Sequence, residues 1–191
     1  MNEGKSGEPK ISIVILNYNA GSLLLDCIES IKNTDYGNYE IIVVDNASKD
    51  NSHKECKKKF PEIELIENDK NLGYCEGNNV GLRKVKGKFV VVLNPDTLVD
   101  PNWLKELLKG YHKFGDGIYQ PKFLTTDNHK ILQSTGNMIQ LFGFGFSRNK
   151  GDLDKGQFNK PEVVGYASGT CLFTSTTIIQ KLGMFDSFLF A

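Results

Sequence analysis

Apolar positions in this chain come in two rhythms. Short unbroken runs, Ile11 to Leu16 (ISIVIL), Tyr39 to Val44 (YEIIVV), Ile63 to Ile66 and Phe89 to Leu93 (FVVVL), are mostly β-branched and aromatic and end in polar turns. That is the pattern of strands buried on both faces of a parallel sheet. Between the runs, apolar residues recur at helical spacing. Leu24, Cys27, Ile28 and Ile31, with Asp26, Glu29 and Lys32 facing outward, predict a helix over Ser22 to about Asn33. Ser52-His53-Lys54-Glu55 has the spacing of a capping box and predicts a helix running to Phe60, stopped by Pro61. Val80, Leu82 and Val85 predict a third helix leading to Gly87 as its C′ residue. Asp100 and Pro101 offer an N-cap and a first-turn proline to a fourth, whose inner stripe is Trp103, Leu104, Leu107, Leu108 and Tyr111. Strand and helix thus alternate four times, which implies a doubly wound α/β sheet with right-handed crossovers.

After about Phe114 the rhythm changes. Ile118 to Leu124 and Lys130 to Ser134 read as short strands around the turn Thr125 to Asn128. Gly136 to Lys160 is rich in Gly and Phe with little periodicity, and the stretch Gly136 to Gly156 is expected to be mobile without ligand. Its Phe142, Phe144 and Phe146 are available to pack over an acceptor or a partner subunit. Val163 to Phe173 reads as a strand interrupted at Ser168-Gly169-Thr170, and Ser175 to Leu182 as a short helix ended by Gly183. The polar residues 1–10 read as a disordered leader and residues 11–191 as one domain. The ending SFLFA, apolar and without a stop signal, is expected to mark a C-terminal truncation.

With 191 residues, 39% of them hydrophobic and 24% charged, the chain can bury one substantial core. Lysine plus arginine balance aspartate plus glutamate at 23 each, so there is no overall field to recruit a nucleic acid. No apolar run approaches the roughly 20 residues of a transmembrane segment. Cys27, Cys56, Cys75 and Cys171 form no C-x-x-C pair and stand apart from any metal-type histidine, which points to reduced thiols in the cytoplasm. The lysines of the helix after Ser52 read as a solvated face.

The chemistry gathers at strand exits. Asn17 and Asn19, Asp45 and Asn46, and Asn94 and Asp96 each follow an apolar run. Parallel strands direct their carboxyl ends to one edge, where ligands of open α/β sheets bind. Pro95 ends its strand, so the carboxylate of Asp96 is delivered just past the sheet. Beside Asn94 and Thr97 it offers hard oxygens to Mg²⁺ or Mn²⁺ at substrate phosphates; the plainer reading is an Asx turn with an exposed acid. There is no G-x-G-x-x-G and no G-x-x-x-x-G-K-[ST], so neither a dinucleotide fold nor a P-loop leaves its fingerprint. A receiver-like domain needs a paired acid after its first strand, where this chain has Asn17 and Asn19.

The ordered motifs SIVILNYN, VVDNASKDNS, NDKNLGYCEGNNVGL, VVVLNPDT, SGTCLF and LGMFD, covering Ile11 to Phe190, resemble the family 2 glycosyltransferases of GT-A fold, particularly their rhamnosyltransferase-like branch. The resemblance implies a Rossmann-like, mostly parallel sheet with a nucleotide-binding half (residues 11–100) and an acceptor-side half (101–191). It further implies a nucleotide-diphosphate-sugar donor such as a UDP- or dTDP-sugar, a Mg²⁺ or Mn²⁺ ion, inversion at the anomeric carbon, and a glycan or lipid-linked acceptor. The setting it implies is polysaccharide or cell-wall biosynthesis, in the cytoplasm or at the inner face of the membrane. Carried onto this chain, Asn17, Asn19, Asp45, Asn46, Asn71, Gly73, Asn78 and Asn94 would line the nucleotide pocket. Asp96 would hold the metal, and Ser168 and Gly169 would face the acceptor. Two departures stand out. The family's D-x-D is Asn94-Pro95-Asp96 here, one charge short, and the acidic pair that supplies its general base is expected beyond Ala191, Asp186 being read as structural. The competing reading is therefore a module that binds a nucleotide sugar without transferring it.

Overall fold

The computed structural model describes residues 7–190. Its first half follows the predicted order: β1 (Ile11–Asn17), α1 (Ser22–Lys32), β2 (Tyr39–Asp45), α2 (Ser52–Lys59), β3 (Glu64–Glu67), α3 (Gly73–Leu82), β4 (Phe89–Leu93) and α4 (Trp103–Phe114). The second half adds β5 (Phe123–Leu124), β6 (Leu132–Ser134), β7 (Asn137–Ile139), β8 (Gly145–Ser147), β9 (Cys171–Ser175) and α5 (Thr176–Lys181). The main sheet has the order β3-β2-β1-β4-β9. Its first four strands are parallel, and β9 pairs antiparallel with β4, Phe89 opposite Ser175 and Leu93 opposite Cys171.

Strand β4 sits between β1 and β9 and is buried along its whole length, as an unbroken apolar run requires. Phe89, Val91 and Leu93 face a large core shared with the inner faces of α1 and α4. Val90 and Val92 face a smaller one with Leu82 and Ile179. Helix α3 packs differently, because its glycines and asparagines form no apolar stripe. A Cβ at Gly77 would come within 2.6 Å of Leu16, and one at Gly81 within 2.5 Å of Val14, so the helix backbone lies directly on β1 and β2. Close approach replaces amphipathicity, which is why the helix begins at Gly73, well ahead of the apolar positions that suggested it.

Several local expectations are corrected. Ser52 lies inside α2 and makes no capping box; Asn51, in the left-handed region, precedes the helix, and the Ser52 hydroxyl donates to Asp50 instead. Gly87 is not a C′ residue, since α3 ends five residues earlier. It packs against β1, where a Cβ would meet the Ser12 nitrogen at 2.7 Å. Helix α4 starts at Trp103, two residues after Pro101, and Asp100 forms an Asx turn by accepting from the Asn102 N–H at 2.9 Å. Of the stretch Val163 to Phe173 only Cys171 to Phe173 is strand. The stretch Gly136 to Gly156 is not structureless: β7 and β8 pair in register, Met138 opposite Phe146. Of the supposed leader, residues 1–6 lie outside the described ones. Glu8 and Pro9 are held through their carbonyls by Asn38 Nδ2 at 2.7 Å and Tyr36 Oη at 2.5 Å, and Lys10 pairs with Glu40.

Candidate functional site

The carboxyl ends of β1, β2 and β4 and the amino end of α3 surround a pocket of about 410 Å³. The loop after β1 contributes Tyr18, Ala20 and Leu23, the loop after β2 Asn46, the approach to α3 Asn71, Gly73 and Tyr74, and the loop after β4 Asn94, Pro95 and Asp96. Phe190 closes one side. Five of the residues singled out from the sequence, Asn46, Asn71, Gly73, Asn94 and Asp96, therefore meet in one cavity.

Asn46 fastens the wall. Its amide nitrogen donates to Asn71 Oδ1 at 2.7 Å and to the Gly73 carbonyl at 3.1 Å, while its Oδ1 accepts from Leu72 N–H at 3.0 Å and Asn68 Nδ2 at 3.1 Å. All four hydrogen-bonding capacities of the side chain are thus used to hold residues 68–73 against β2.

Asp45 and Asn17 lie beneath the pocket rather than on its surface. Asp45 is 2% exposed, with Oδ1 accepting from Asn17 Nδ2 at 2.7 Å and Oδ2 from Ser48 N–H at 2.9 Å. The Asn17 amide also faces Ser52 Oγ at 2.9 Å. The buried ring of His53 completes the cluster, with Nδ1 3.3 Å from Asp45 and Nε2 3.2 Å from Glu67. The geometry gives Asp45 and Asn17 a supporting role, and direct contact with a ligand would require these bonds to break. Asn78 is buried in α3, donating to the Tyr74 carbonyl at 2.9 Å. Asn19 points away from the cavity: its Oδ1 accepts from Lys49 N–H at 2.7 Å and its N–H donates to Ser48 Oγ at 2.9 Å, tying the loop after β1 to the loop after β2.

Gly73 adopts φ +77°, and a Cβ there would lie 2.2 Å from the Phe190 carbonyl. The close backbone approach expected at this glycine is made by the chain itself, and Tyr74 N–H donates to the same carbonyl at 2.6 Å. Tyr74 also reaches the acceptor-side loop. Its hydroxyl donates to the Gly169 carbonyl at 2.7 Å, and its ring packs edge-on against Phe185. Burial pushes the Tyr74 hydroxyl up to about 12, so it remains a donor at any physiological pH. Ser168 and Gly169 do not line the cavity, but Asn94 N–H donates to the Thr170 carbonyl at 2.9 Å, so their loop abuts the Asn94 to Asp96 segment.

Asp96 is exposed at the pocket's mouth and is its only carboxylate among the described residues. Among the described residues no group of three or more His, Cys, Asp or Glu could cage a metal ion. One free acid fits an ion that takes its remaining ligands from phosphates and water, the usual state of Mg²⁺ at nucleotide sites. The cysteines offer no alternative nucleophile: all are free and buried, and burial holds the Cys27 thiol at about 12 and the Cys56 thiol at about 11. Sequence reasoning missed Tyr18, Tyr74, Leu23, His53 and Phe190. Tyr18, an aromatic between two asparagines just past a strand, carried a signal; His53 sat within a run of lysines that masked it.

A doubly wound sheet with one antiparallel edge strand and a pocket at the carboxyl ends of its parallel strands defines the class, an open α/β domain. The Glycosyl transferase family 2 domain matches residues 12–183, and the chain belongs to that family. It is 26% identical over 186 residues to the low-salt glycan biosynthesis hexosyltransferase Agl10 of Haloferax volcanii, an alignment covering 94% of this chain and 57% of that protein. S. aureus TarS 1–349 in complex with UDP superposes with a TM-score of 0.71 at 17% identity, covering 95% of this chain and 52% of that one. The mannosyltransferase PcManGT from Pyrobaculum calidifontis, in complex with GDP-Man and Mn²⁺, gives a TM-score of 0.67 at 16% identity, covering 95% and 49%. The shared architecture is the GT-A fold expected from the motifs. The matches cover between 15% and 57% of the length of the curated relatives.

Proposed function

We propose that this domain holds a nucleotide-diphosphate sugar in the pocket between β1, β2 and β4 and transfers the sugar, with inversion, to a glycan or lipid-linked acceptor approaching past Ser168 and Gly169. The observation that carries this reading is the convergence of Asn46, Asn71, Asn94 and Asp96, from loops far apart in sequence, on one cavity of nucleotide size in a family 2 domain. Tyr18 offers a ring on which a base can stack, and Asn71 and Asn94 offer amides to its edge or the ribose. The donor is a UDP- or dTDP-sugar, with rhamnose among the candidate sugars. The named activities of the relatives favour transfer over binding alone.

Asp96 is the residue that would hold Mg²⁺ or Mn²⁺, with Asn94 beside it. When bound, such an ion neutralises charge developing on the departing diphosphate. The chain's own residues set the rest of the site. Asn46 keeps the 68–73 wall in place, and Tyr74 holds the Gly169 loop against it. We read Asp186 as structural, its Oδ1 accepting from the Phe188 N–H at 3.0 Å in a tight turn. With Asp96 committed to the ion, we assign the base to no residue of 7–190. The four free thiols fit a reducing compartment, and we place the activity in the cytoplasm, at the inner face of the membrane where the acceptor is lipid-linked.

Titrating UDP and dTDP by calorimetry with and without Mn²⁺ tests the assignment. Nucleotide and ion are expected to tighten each other's binding reciprocally. Asp96→Asn should abolish that coupling, and Asn94→Asp should strengthen ion binding by restoring a second charge. Equal nucleotide affinity with and without Mn²⁺ would sink the metal assignment; no binding of either nucleotide would sink the donor site.

A further inference from the structure

The β7–β8 hairpin turns outward everything that a soluble surface normally hides. From Met138 to Phe146 the sequence MIQLFGFGF carries no charge. Leu141 is 94% exposed and Phe142 82%, with Ile139, Phe144 and Phe146 each more than half exposed. Leu141 and Phe142 occupy the corner of the turn closed by Gly143 N–H to the Gln140 carbonyl at 2.8 Å, where turn chemistry favours Asn, Asp, Gly or Pro. Folding gains nothing from a Leu-Phe corner.

The root of the hairpin is firmly held, so the tip projects as a unit. Asn137 is buried, its carbonyl accepts from Gly165 N–H at 2.7 Å, and Tyr166 packs so closely on Gly145 that a Cβ there would lie 2.3 Å from its hydroxyl.

We infer that this hairpin is a membrane anchor, inserting its tip into the interfacial region of a lipid bilayer. Two features favour lipid over a protein partner. Met138, Phe144 and Phe146 lie on one face of the hairpin, Ile139 on the other, and Leu141 and Phe142 at the tip. A surrounding medium buries all of them, whereas a protein surface covers one side. The backbone flanking the tip is also paired internally, by the β7–β8 ladder, Gln140 N–H to the Phe144 carbonyl at 3.0 Å and the turn bond, which lowers the cost of placing it in the interfacial region. Basic residues follow at the boundary. Lys150 is exposed and Arg148 pairs with Glu162 at 2.7 Å, so anionic headgroups add a modest electrostatic attraction to insertion driven by apolar burial. This inference does not rest on sugar transfer: vesicle binding requires no nucleotide and stands or falls separately from the donor site.

The test uses the full chain and vesicles of phosphatidylcholine and phosphatidylglycerol in equal amounts. The single native tryptophan, Trp103, is buried and gives a constant background, so the change in emission of a Phe142→Trp variant relative to the parent reports the tip. Its emission should shift to the blue when vesicles are added. The Leu141→Ser, Phe142→Ser double variant should sediment with vesicles at least about tenfold less well than the parent, with an unchanged melting curve because both side chains are exposed. Unshifted emission with vesicles would overturn the proposal. So would self-association in their absence that the double serine variant abolishes, since the tip would then be a protein interface.

Discussion

Replacing Asp45 by alanine separates a residue that supports the pocket from one that touches the ligand. The carboxylate is 2% exposed and accepts from Asn17 Nδ2 and Ser48 N–H at 2.7 and 2.9 Å, with His53 3.3 Å away. Hydrogen bonds to a charged group contribute about 1.5 to 3 kcal/mol each, and an orphaned buried donor costs about 1 to 3 kcal/mol. The Asn17 amide keeps Ser48 Oγ and Ser52 Oγ as acceptors, so its share of the loss is small, while Ser48 N–H loses its partner; His53 Nδ1, 3.3 Å away, makes no hydrogen bond to the carboxylate. The net expectation is a destabilisation of about 2 to 4 kcal/mol, or roughly 4 to 16 °C in melting temperature for a domain of this size. Asp45→Asn keeps the shape and one oxygen and should lose less. Urea titration with an unchanged m-value measures the stability, and calorimetry on the folded fraction measures nucleotide affinity. If Asp45→Ala melts like the parent while losing its nucleotide affinity, Asp45 contacts the ligand directly and the supporting role is wrong.

Tyr74→Phe removes one hydrogen bond, to the Gly169 carbonyl, and keeps the ring against Phe185. Amide exchange of residues 166–170 should quicken by roughly fivefold, the equivalent of about 1 kcal/mol, with nucleotide affinity unchanged; uniform exchange across the chain would show that the bond does not hold the loop. Acid stability should depend on Glu40. Burial raises the pKa of its carboxyl, but donation from Lys10, Ser12 and the Lys86 N–H outweighs this and leaves it below the ordinary value of 4.5. A depressed folded pKa stabilises above the unfolded value and is lost as pH falls through the folded one, so this contribution is complete near neutrality and disappears below about pH 4.5. Glu40→Gln should be less stable at pH 7 and should flatten the decline below that pH; parallel curves for the two proteins would remove Glu40 from the acid transition.

Local pattern carried most of the framework. Runs such as Ile11 to Leu16 and Phe89 to Leu93 announce themselves because a strand buried on both faces has no polar position to spare, and Pro95 marks where the sheet must stop. Helices with a one-sided stripe, α1 and α4, were legible for the same reason. That Asn46, Asn94 and Asp96 share one edge followed from the common direction of parallel strands. What no stretch of sequence could show is which groups beneath that edge satisfy one another. The bonds of Asp45 to Asn17, of Tyr74 to Gly169 and of Tyr74 N–H to Phe190 join residues 28, 95 and 116 positions apart, and each depends on the sheet having already formed. Helix α3 lacks an apolar stripe because its glycines fit the particular side chains of β1 and β2, and the apolar residues of the hairpin at Met138 to Phe146 turn outward, which their apolarity alone would not suggest. Periodicity along the chain records burial against a flat or grooved face. Tertiary structure alone decided where backbones touch, which polar groups are already spent and which remain free to meet a ligand.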